Sequence, residues 1–388
     1  MKYFSIPADF KKESIDRLHE LNLTSQNSRV FETYGSISRG EFLECGRVKS
    51  QLPEVDFLEL ADYADYAKQK NIDFNYTLNS PYMHNMEFTS NGILKLKSFL
   101  HKLYQNGIRS LTVTLSPLVK LIKSTGLDFH IKASTICSIN NANKAAAFKK
   151  IGFDRLVVDQ SINRDFFTLK RTRDRFGENV EIIVNTPCHR DCASRLFHYL
   201  QISGDSIGET NDVSLNYYEH MCMARRYADI SNWLKINWIR PEDLEYYMDI
   251  GIHYFKLQGR QTIKKGADII RALKCYFNED YDGNLIDLIN LFAPMNPFEV
   301  FLDNKKLAGF IKPFFEKDHF CIHDCQACSY CETFARRCMD ITQVEEVNCL
   351  ANQFYHQYDQ YNKMLKEIPF KETLLLQNKL EKEGDFGF

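Results

Sequence analysis

The stretch FHIKASTICSINNANKAAAFKKIGFDRLVVDQ, residues 129–160, contains the repeating unit that decides the fold. It opens with the strand-like run FHIKAST, continues with the helix-forming segment NANKAAAFKKI, and closes with the apolar run RLVVDQ. Gly152 separates the helical segment from the second run, and glycine is the residue expected where a helix ends. The pattern predicts a strand, a helix and a second strand parallel to the first.

The same alternation extends along the chain in both directions from this unit. Eight strand-like runs alternate with helical segments over about 250 residues, which predicts a (β/α)8 TIM-like barrel of the α/β class. A doubly wound open sheet is the alternative that the alternation leaves open. The runs are RVFETYGS (29–36), DFNYTLN (73–79), SLTVTLS (110–116), FHIKAST (129–135), RLVVDQ (155–160), EIIVNT (181–186), WLKINW (233–238) and HYFKLQG (253–259).

The extent of the alternation predicts three segments. Residues 1–27 form an N-terminal lead-in, residues 28–280 form the barrel, and residues 281–388 form a C-terminal extension with a cysteine-rich metal site and a helical tail. The interval between residues 187 and 232 is longer than a minimal connection, so additional structure is expected there, and long loops at strand ends are commonly functional.

The charge balance of the chain indicates no strong preference for nucleic acid. Its 388 residues include 49 basic and 51 acidic side chains, for a formal net charge of -2. The amino end, MKYFSIPADFKKESIDRL, lacks the apolar run of a signal peptide. No run approaches the roughly 20 apolar residues that a membrane span requires. We therefore expect a cytoplasmic protein without a membrane span.

Twelve cysteines are many for a chain expected in a reducing compartment, and their grouping indicates metal binding. Cys188 and Cys192 directly follow the run EIIVNT, Cys222 lies in the long interval after it, and Cys45 follows the first predicted strand. Because such barrels bind their substrates at the carboxyl ends of the strands, these four thiols are expected at one mouth. Thiolates there suit an iron–sulfur cluster, predicted as [4Fe–4S], or zinc. Without Cys45 the cluster would keep one open iron.

A second group of thiols lies in CIHDCQACSYC, residues 321–331. Cys321, Cys325 and Cys328 have the C-x3-C-x2-C spacing of radical S-adenosylmethionine enzymes. That motif would precede a barrel, however, and Cys331 is placed to occupy the iron that such enzymes leave open. The stretch instead predicts a closed second [4Fe–4S] cluster or a structural zinc, with Cys338 as a substitute ligand.

Polar side chains at or after the strand ends predict a binding site at the same mouth. Arginine pairs bidentately with carboxylates, so a carboxylated small molecule is the expected guest. An ordinary solvated rim of charges is the alternative for any single arginine. The predicted catalytic or anchoring residues are Arg240, Lys256 and Arg260, and the predicted substrate-binding residues are Arg39, Arg47, Asn79, Asp159 and Asn185.

The run from FHIKASTICSINNANKAAAFKKIGFDRLVVDQSINRDFF to VEIIVNTPCHRDC resembles the U-32 peptidase family, named for collagenase-like members. WIRPEDLEYYMDIGIHYFKLQGR is similar to the segment that follows in many members. The resemblance covers roughly residues 28 to 280. It implies one of two activities. The first is proteolysis, and the second is oxygen-independent hydroxylation, either in ubiquinone biosynthesis or of bases in RNA. Such hydroxylases carry a [4Fe–4S] cluster on four cysteines, with prephenate as oxygen donor, and Cys45 resembles a ligand of one branch.

Three functions therefore compete. The first is an iron–sulfur hydroxylase acting on a small molecule, a peptide or an RNA base, with an electron donor or a homologous partner subunit. The second is a peptidase, for which the sequence offers no HExxH or GxSxG motif but does offer Cys188 with His189 or His198. The third is a non-catalytic assembly protein with two structural metal sites.

Overall fold

The computed structural model describes residues 1–39, 46–47, 49–207, 217–294, 298–357 and 359–367. Eight parallel strands close into a barrel in chain order, the last strand pairing with the first. The predicted (β/α)8 barrel is therefore confirmed. The strands are β1 Lys2–Pro7, β2 Ser28–Gly35, β3 Asp73–Leu78, β4 Ser110–Val113, β5 His130–Ala133, β6 Arg155–Val157, β7 Val180–Ile183 and β8 Tyr254–Lys256.

Helices surround this barrel and form most of the C-terminal extension. The α-helices are α1 Lys12–Thr24, α2 Phe57–Gln69, α3 Ser90–Gln105, α4 Ser116–Lys123, α5 Ala142–Ile151, α6 Phe166–Phe176, α7 Arg195–Ile207, α8 Tyr217–Tyr227, α9 Leu244–Asp249, α10 Ile269–Asn278, α11 Leu285–Ile289, α12 Lys312–Glu316, α13 Tyr330–Cys338, α14 Ile341–Gln357 and α15 Gln360–Glu367. Short 3₁₀ helices span Lys49–Gln51, Met86–Phe88, Thr135–Cys137, Gln160–Ile162, Ile230–Trp233, Pro241–Asp243, Arg260–Lys265 and Lys305–Leu307. None of the helices in the described ranges has the length and apolar character needed to cross a membrane.

The unit at residues 129–160 folds as its sequence predicts. The side chain of Asn141 accepts a hydrogen bond from the backbone N–H of Lys144 and so caps the start of α5. Gly152 ends the helix with φ 107°, a backbone conformation that residues with a Cβ rarely adopt. β5 and β6 then pair in parallel, and the chain returns to the sheet through one helix.

The barrel begins earlier than predicted. β1 pairs with β2 on one side and with β8 on the other, so residues 1–27 are part of the barrel, and the predicted boundary at residue 28 is wrong. The predicted strand at 233–238 is also wrong, since Ile236 makes only an isolated antiparallel bridge with His189. The sequence thus missed β1 and wrongly assigned a strand at 233–238, so the predicted number of eight strands is still correct.

The segment predicted as a strand at 233–238 is a packing element between the barrel and the extension. The guanidinium of Arg164 donates hydrogen bonds to the carbonyl oxygens of Leu234, Ile236 and Trp238, at 2.6 Å and 3.2 Å for the last two. The Trp238 ring lies 5.4 Å from the Phe310 ring, which belongs to the extension. The extension therefore packs directly against the barrel core.

Candidate functional site

A cavity of about 510 Å³, open to solvent, lies at the carboxyl ends of the strands. This is the end of a (β/α)8 barrel at which substrates bind. Its lining is polar and cationic, and none of the described residues that line it carries a carboxylate. The lining residues are Tyr34, Arg47, Thr77, Asn79, Thr112, Ser134, Thr135, Ile136, Val157, Ile183, Tyr199, Lys256, Gln258, Gly259, Arg260 and Gln261.

Arg260 is the most firmly held cation of the cavity. It lies directly after β8 at the start of a 3₁₀ helix, and its residue is 6% exposed. The guanidinium donates to the Thr77 hydroxyl at 2.7 Å and to the Ser36 hydroxyl at 3.1 Å. Both bonds are made by Nη1 and fix the guanidinium in the lining of the cavity, and a guanidinium is a group that pairs well with carboxylates.

Lys256 closes β8 and reaches the floor of the same cavity. Its ammonium nitrogen lies 3.4 Å from the centre of the Tyr34 ring and 3.7 Å from Glu181 Oε1. No hydrogen-bond acceptor within the described residues contacts this buried nitrogen. Burial and the nearby Lys132 ammonium lower the pKa of Lys256 to about 7, although Glu181 and Glu32 partly oppose the shift.

Beneath the cavity the barrel interior is charged, whereas branched apolar residues fill most such barrels. The Lys132 ammonium bonds to Glu32 and lies 2.7 Å from Glu181 Oε2. Ser5 donates at 2.6 Å to Glu32 Oε1, the oxygen that Lys132 also contacts, and Arg155 lies 4.0 Å from Glu181. These residues lie on five different strands, so the network fixes the strands' relative positions.

Two further predicted residues, Arg47 and Asn79, lie at the rim of the cavity. Asn79 Oδ1 accepts a hydrogen bond from the Gly46 backbone N–H at 3.0 Å, which ties the loop after β2 to the end of β3. The Arg47 guanidinium donates to Gln261 at 3.3 Å. Arg47, Asn79, Lys256 and Arg260 thus share one cavity, and their binding and catalytic roles stay predictions.

The other predicted binding and catalytic residues are not part of the cavity lining. Arg39 is about half exposed and pairs with Glu59 on α2. Asn185 binds the backbone of Gln258 and Ile289, a structural role. Arg240 lies at the end of the segment that is not a barrel strand, and it pairs with two acidic residues that follow it, Glu242 and Asp243.

Asp159 is the fourth predicted residue outside the lining, but it organises the neighbouring loop. Its carboxylate accepts hydrogen bonds from the Ser161 backbone N–H at 2.7 Å and from the Arg195 guanidinium at 2.5 Å. Arg195 in turn donates to the backbone carbonyls of His189 and Arg190. Asp159 therefore holds the cysteine-bearing loop after β7 and the start of α7 in place.

Cys222 lies close enough to Cys188 and Cys192 for both of these thiols to affect its ionisation. Two arginines of α8 draw that helix onto the cysteine loop, because Arg225 donates to the Asp191 carbonyl at 2.7 Å and Arg226 to the Pro187 carbonyl at 2.5 Å. Burial raises the pKa of the Cys222 thiol, and the two other thiols raise it further, while Arg226 opposes them. The structure thus brings together three cysteines from two separate segments.

These three thiols fit a soft metal or an iron–sulfur cluster by donor type. Within the described ranges, however, no three cysteine, histidine or acidic side chains are already arranged to hold a metal ion. Cys45, the predicted fourth ligand, lies outside the described residues. The barrel-mouth cluster therefore stays a prediction.

Tyr199 joins the thiols to the cavity. This side chain projects from α7, lines the cavity and is partly buried. Burial raises the pKa of Tyr199, and the nearby Cys188 thiol raises it further. The thiol group and the cationic cavity are therefore adjacent parts of one site.

The cysteines of the C-terminal extension form a second, looser group. Burial raises the pKa of Cys331 to about 11, and neighbouring Cys321 and Cys325 contribute to the increase, whereas Arg164 opposes it. Cys325 and Cys328 are exposed. The predicted second metal site accordingly stays a prediction. Cys338, its proposed substitute ligand, is buried, with Arg337 as its charged neighbour.

The extension also contacts the cysteine loop of the barrel directly. His323, within the stretch 321–331, lies with its Nδ1 atom 3.1 Å from the carboxylate of Asp191, which lies between Cys188 and Cys192. The two cysteine groups are therefore neighbours in the folded chain.

The two predicted cysteine–histidine pairs lack the features of a nucleophile and its base. Burial and the arginines of α8 lower the pKa of His189 to about 3, and neither ring nitrogen has a partner among the described residues. Burial lowers the pKa of His198 to about 4, and its ring stacks on Tyr218. Neither histidine hydrogen-bonds to Cys188, as an activated thiol requires.

Sequence reasoning missed the aromatic and charged groups that complete the site. Tyr199 lies on a helix in the long interval after β7, where no strand-end argument applies. Lys132 and Glu181 were detectable, since each is a charged residue within a short and largely apolar strand, HIKA and VEII; Glu32 was less so, because its strand SRVFETYG contains other polar residues. Such a residue in a closed barrel must face a partner of opposite charge.

A (β/α)8 barrel with a polar cavity at the carboxyl ends of its strands is an architecture of enzymes. The model of peptidase family U32 matches residues 47–185 of this chain. A protein of Methanocaldococcus jannaschii, named as an uncharacterized protease, is 29% identical over 348 residues, covering 87% of this chain and 99% of the relative. The solved U32 peptidase Mk0906 shares the fold, with a TM-score of 0.50 and 17% identity over 67% of this chain and 93% of its own.

Proposed function

We propose that this protein is a member of peptidase family U32 and an iron–sulfur-dependent enzyme, which binds a small carboxylated molecule at the barrel mouth and catalyses oxygen-independent hydroxylation. The observation that carries the proposal is the position of Tyr199 between the cationic cavity and Cys188. A guest held by the cations would lie beside the thiols. The resemblance of the strand, helix and cysteine-loop segments to the hydroxylases of the family supports the reaction type.

The cavity residues have separable roles in this proposal. Arg260, held by Ser36 and Thr77, provides a buried positive charge for the carboxylate of the guest. Lys256 provides a second positive charge at the floor. The ring of Tyr34 packs against Lys256 and restricts its movement.

Cys188, Cys192 and Cys222 would hold the cluster, with Cys45 or an open position as its fourth site. When bound, a cluster of this kind supplies electrons or Lewis acidity. Arg226, whose guanidinium lies 3.9 Å from the Cys222 sulfur, would balance the negative charge of the thiolates. The raised pKa of Cys222 means that metal must displace a proton from this thiol, which makes binding weaker at low pH.

The proposal is tested by an iron and sulfide count on protein purified without oxygen. We expect about four iron and four sulfide per barrel-mouth cluster, lost in Cys188→Ala and Cys192→Ala. Cys275→Ala is the matched control, since this half-buried thiol lies on α10 away from both groups, and it should keep the full count. Colourless protein that contains zinc alone would refute the proposal.

Hydrolysis of peptides is the second candidate function. The names of the matching family and of the archaeal relative favour it over hydroxylation, and neither name refers to iron–sulfur chemistry. The cavity offers Lys256 as a base of suitable pKa, with Arg260 beside it. Hydrolysis of denatured collagen by iron-depleted protein, abolished in Lys256→Met, would establish a peptidase; no cleavage in iron-replete or iron-depleted protein would exclude this activity on that substrate.

A further inference from the structure

The interior of the barrel holds more positive than negative charge. Three cationic side chains, Lys132, Arg155 and Lys256, face two carboxylates, Glu32 and Glu181, and all five are at most 8% exposed. Unbalanced charge is costly in such surroundings, because water cannot solvate it. The excess must be relieved by an anion or by the loss of a proton.

The excess positive charge is located at Lys256. Lys132 contacts Glu32 and one oxygen of Glu181, at 2.7 Å for the latter. The other oxygen of Glu181 and the Lys256 nitrogen both lack hydrogen-bond partners among the described residues, and their separation of 3.7 Å is too long for a hydrogen bond. Lys256 is thus an incompletely neutralised cation.

The register of the barrel places this group next to the cavity. Lys256 is level with Ile183, whereas Glu181 is level with Tyr254 and therefore two residues deeper. An anion that enters the cavity would approach Lys256 from above, opposite Glu181. Both Lys256 and Arg260 line the cavity, so the same anion can contact both.

We propose that this cavity binds its carboxylate together with a proton, which Lys256 takes up as the carboxylate contacts it and Arg260. The proposal deepens the proposed function, since it specifies how the same site recognises its carboxylated guest. One proton leaves the solvent, one N–H bond forms at Nζ, and the carboxylate itself is unchanged. A carboxylate on an uncharged Lys256 amine would be held less tightly, so binding and protonation are coupled.

Lys256 is the group among its neighbours that titrates near neutral pH. Burial and the Lys132 ammonium lower its pKa to about 7. Burial raises the pKa of Glu32, but Lys132, Lys256 and Arg155 outweigh it and keep that carboxyl ionised. Burial raises the pKa of Tyr34, so its hydroxyl stays neutral. The remaining charged groups that face Lys256 are Glu181 on β7 and Arg260 after β8.

The sign of the pH dependence follows from this arrangement. A bound carboxylate stabilises the ammonium form and raises the pKa of Lys256 above its value of about 7 in the free protein. Affinity is therefore full below that pKa and decreases as pH rises through it. If the pKa of Lys256 in the carboxylate complex lies well above neutrality, the affinity for the carboxylate falls about tenfold between about pH 6 and pH 8.

The test is calorimetric titration of the full chain with a panel of acetate, pyruvate, benzoate and citrate. Measurements at one pH in two cationic buffers of different ionisation enthalpy, bis-Tris and Tris, give the number of protons taken up. We expect about half a proton per bound carboxylate at about pH 7. Lys256→Arg keeps the charge but cannot titrate, so it should bind without proton uptake and with pH-independent affinity.

Lys95→Met is the matched control for Lys256→Met, because Lys95 is exposed on α3. The control should bind like the wild type, whereas Lys256→Met should bind at least about tenfold more weakly below pH 7. Thermal unfolding verifies that each variant is folded. Failure of every carboxylate in the panel to bind, or unchanged proton uptake in Lys256→Arg, would overturn the proposal. Iron-replete and iron-depleted protein are titrated in parallel, so failure of the cluster proposal is detected separately.

Discussion

Replacing Lys132 with methionine tests the charged interior of the barrel. The Lys132 residue is 0% exposed and is the shared partner of Glu32 and Glu181, so Lys132→Met leaves two buried carboxylates without their main cation. Removing one partner of a buried ion pair costs about 3–5 kcal/mol. Lys256 at 3.7 Å and Arg155 at 4.0 Å still face Glu181, so we expect a loss near about 3 kcal/mol at neutral pH.

The loss should depend on pH in a specific direction. In the wild type, burial raises the pKa of Glu32, but the Lys132 ammonium and the other cations lower it to about 2 overall. The stability contributed by Glu32 is therefore complete above its unfolded pKa and is lost only as pH falls towards the folded value. In Lys132→Met, burial dominates and the Glu32 carboxyl takes up a proton readily. The difference between variant and wild type should shrink from about pH 7 to pH 5 by up to about 1.4 kcal/mol per pH unit.

The assay is urea unfolding followed by tryptophan fluorescence, since both tryptophans, Trp233 and Trp238, are buried. Lys132→Met combined with Glu32→Gln should recover part of the lost stability, because one unpaired charge is removed. Lys95→Met is the control on the surface and should leave the unfolding curve unchanged. A loss below about 1 kcal/mol, or one independent of pH, would refute the argument.

Two further predictions concern the segments that the sequence misassigned. Phe4→Ala on β1 should cost about 3–5 kcal/mol in urea unfolding, because this residue is 0% exposed, whereas Leu23→Ala, at 73% exposed, should have little effect; equal effects would mean that β1 is not part of the core. Arg164→Leu should cost about 3 kcal/mol or more, since three carbonyl oxygens at 234, 236 and 238 lose a buried donor. Arg171→Leu, at an exposed position of α6, is its control, and comparable losses in both variants would contradict the role assigned to Arg164.

Most of the fold was predictable because the spacing of apolar residues along strands and helices, and the glycines at helix ends, are local features of the sequence. β1 was missed because KYFSIP is a short strand that ends in a proline and is followed by a charged segment. The run WLKINW was misassigned because its apolar residues face the extension and α8 instead of a neighbouring strand, and Arg164 supplies the hydrogen bonds that a sheet would otherwise provide. Alternation alone does not reveal what an apolar side chain packs against.

The candidate site was predictable where strand ends determine position. Asn79, Lys256 and Arg260 line the cavity because each lies at or just beyond the end of a barrel strand. Arg240 was placed there by the same argument, but the segment before it is not a barrel strand. The contribution of Tyr199 depends on how α7 folds back over the mouth, and that is determined by long-range packing and by the contact between Asp159 and Arg195.

The most direct test of the central claim is an electron paramagnetic resonance spectrum of dithionite-reduced protein purified without oxygen. The account predicts the signal of a reduced [4Fe–4S] cluster in the wild type, its loss in Cys188→Ala, and its altered shape in Tyr199→Phe, which changes the group next to Cys188. A wild type without any iron–sulfur signal, or a full and unaltered signal in Cys188→Ala, would contradict a cluster held at the barrel mouth.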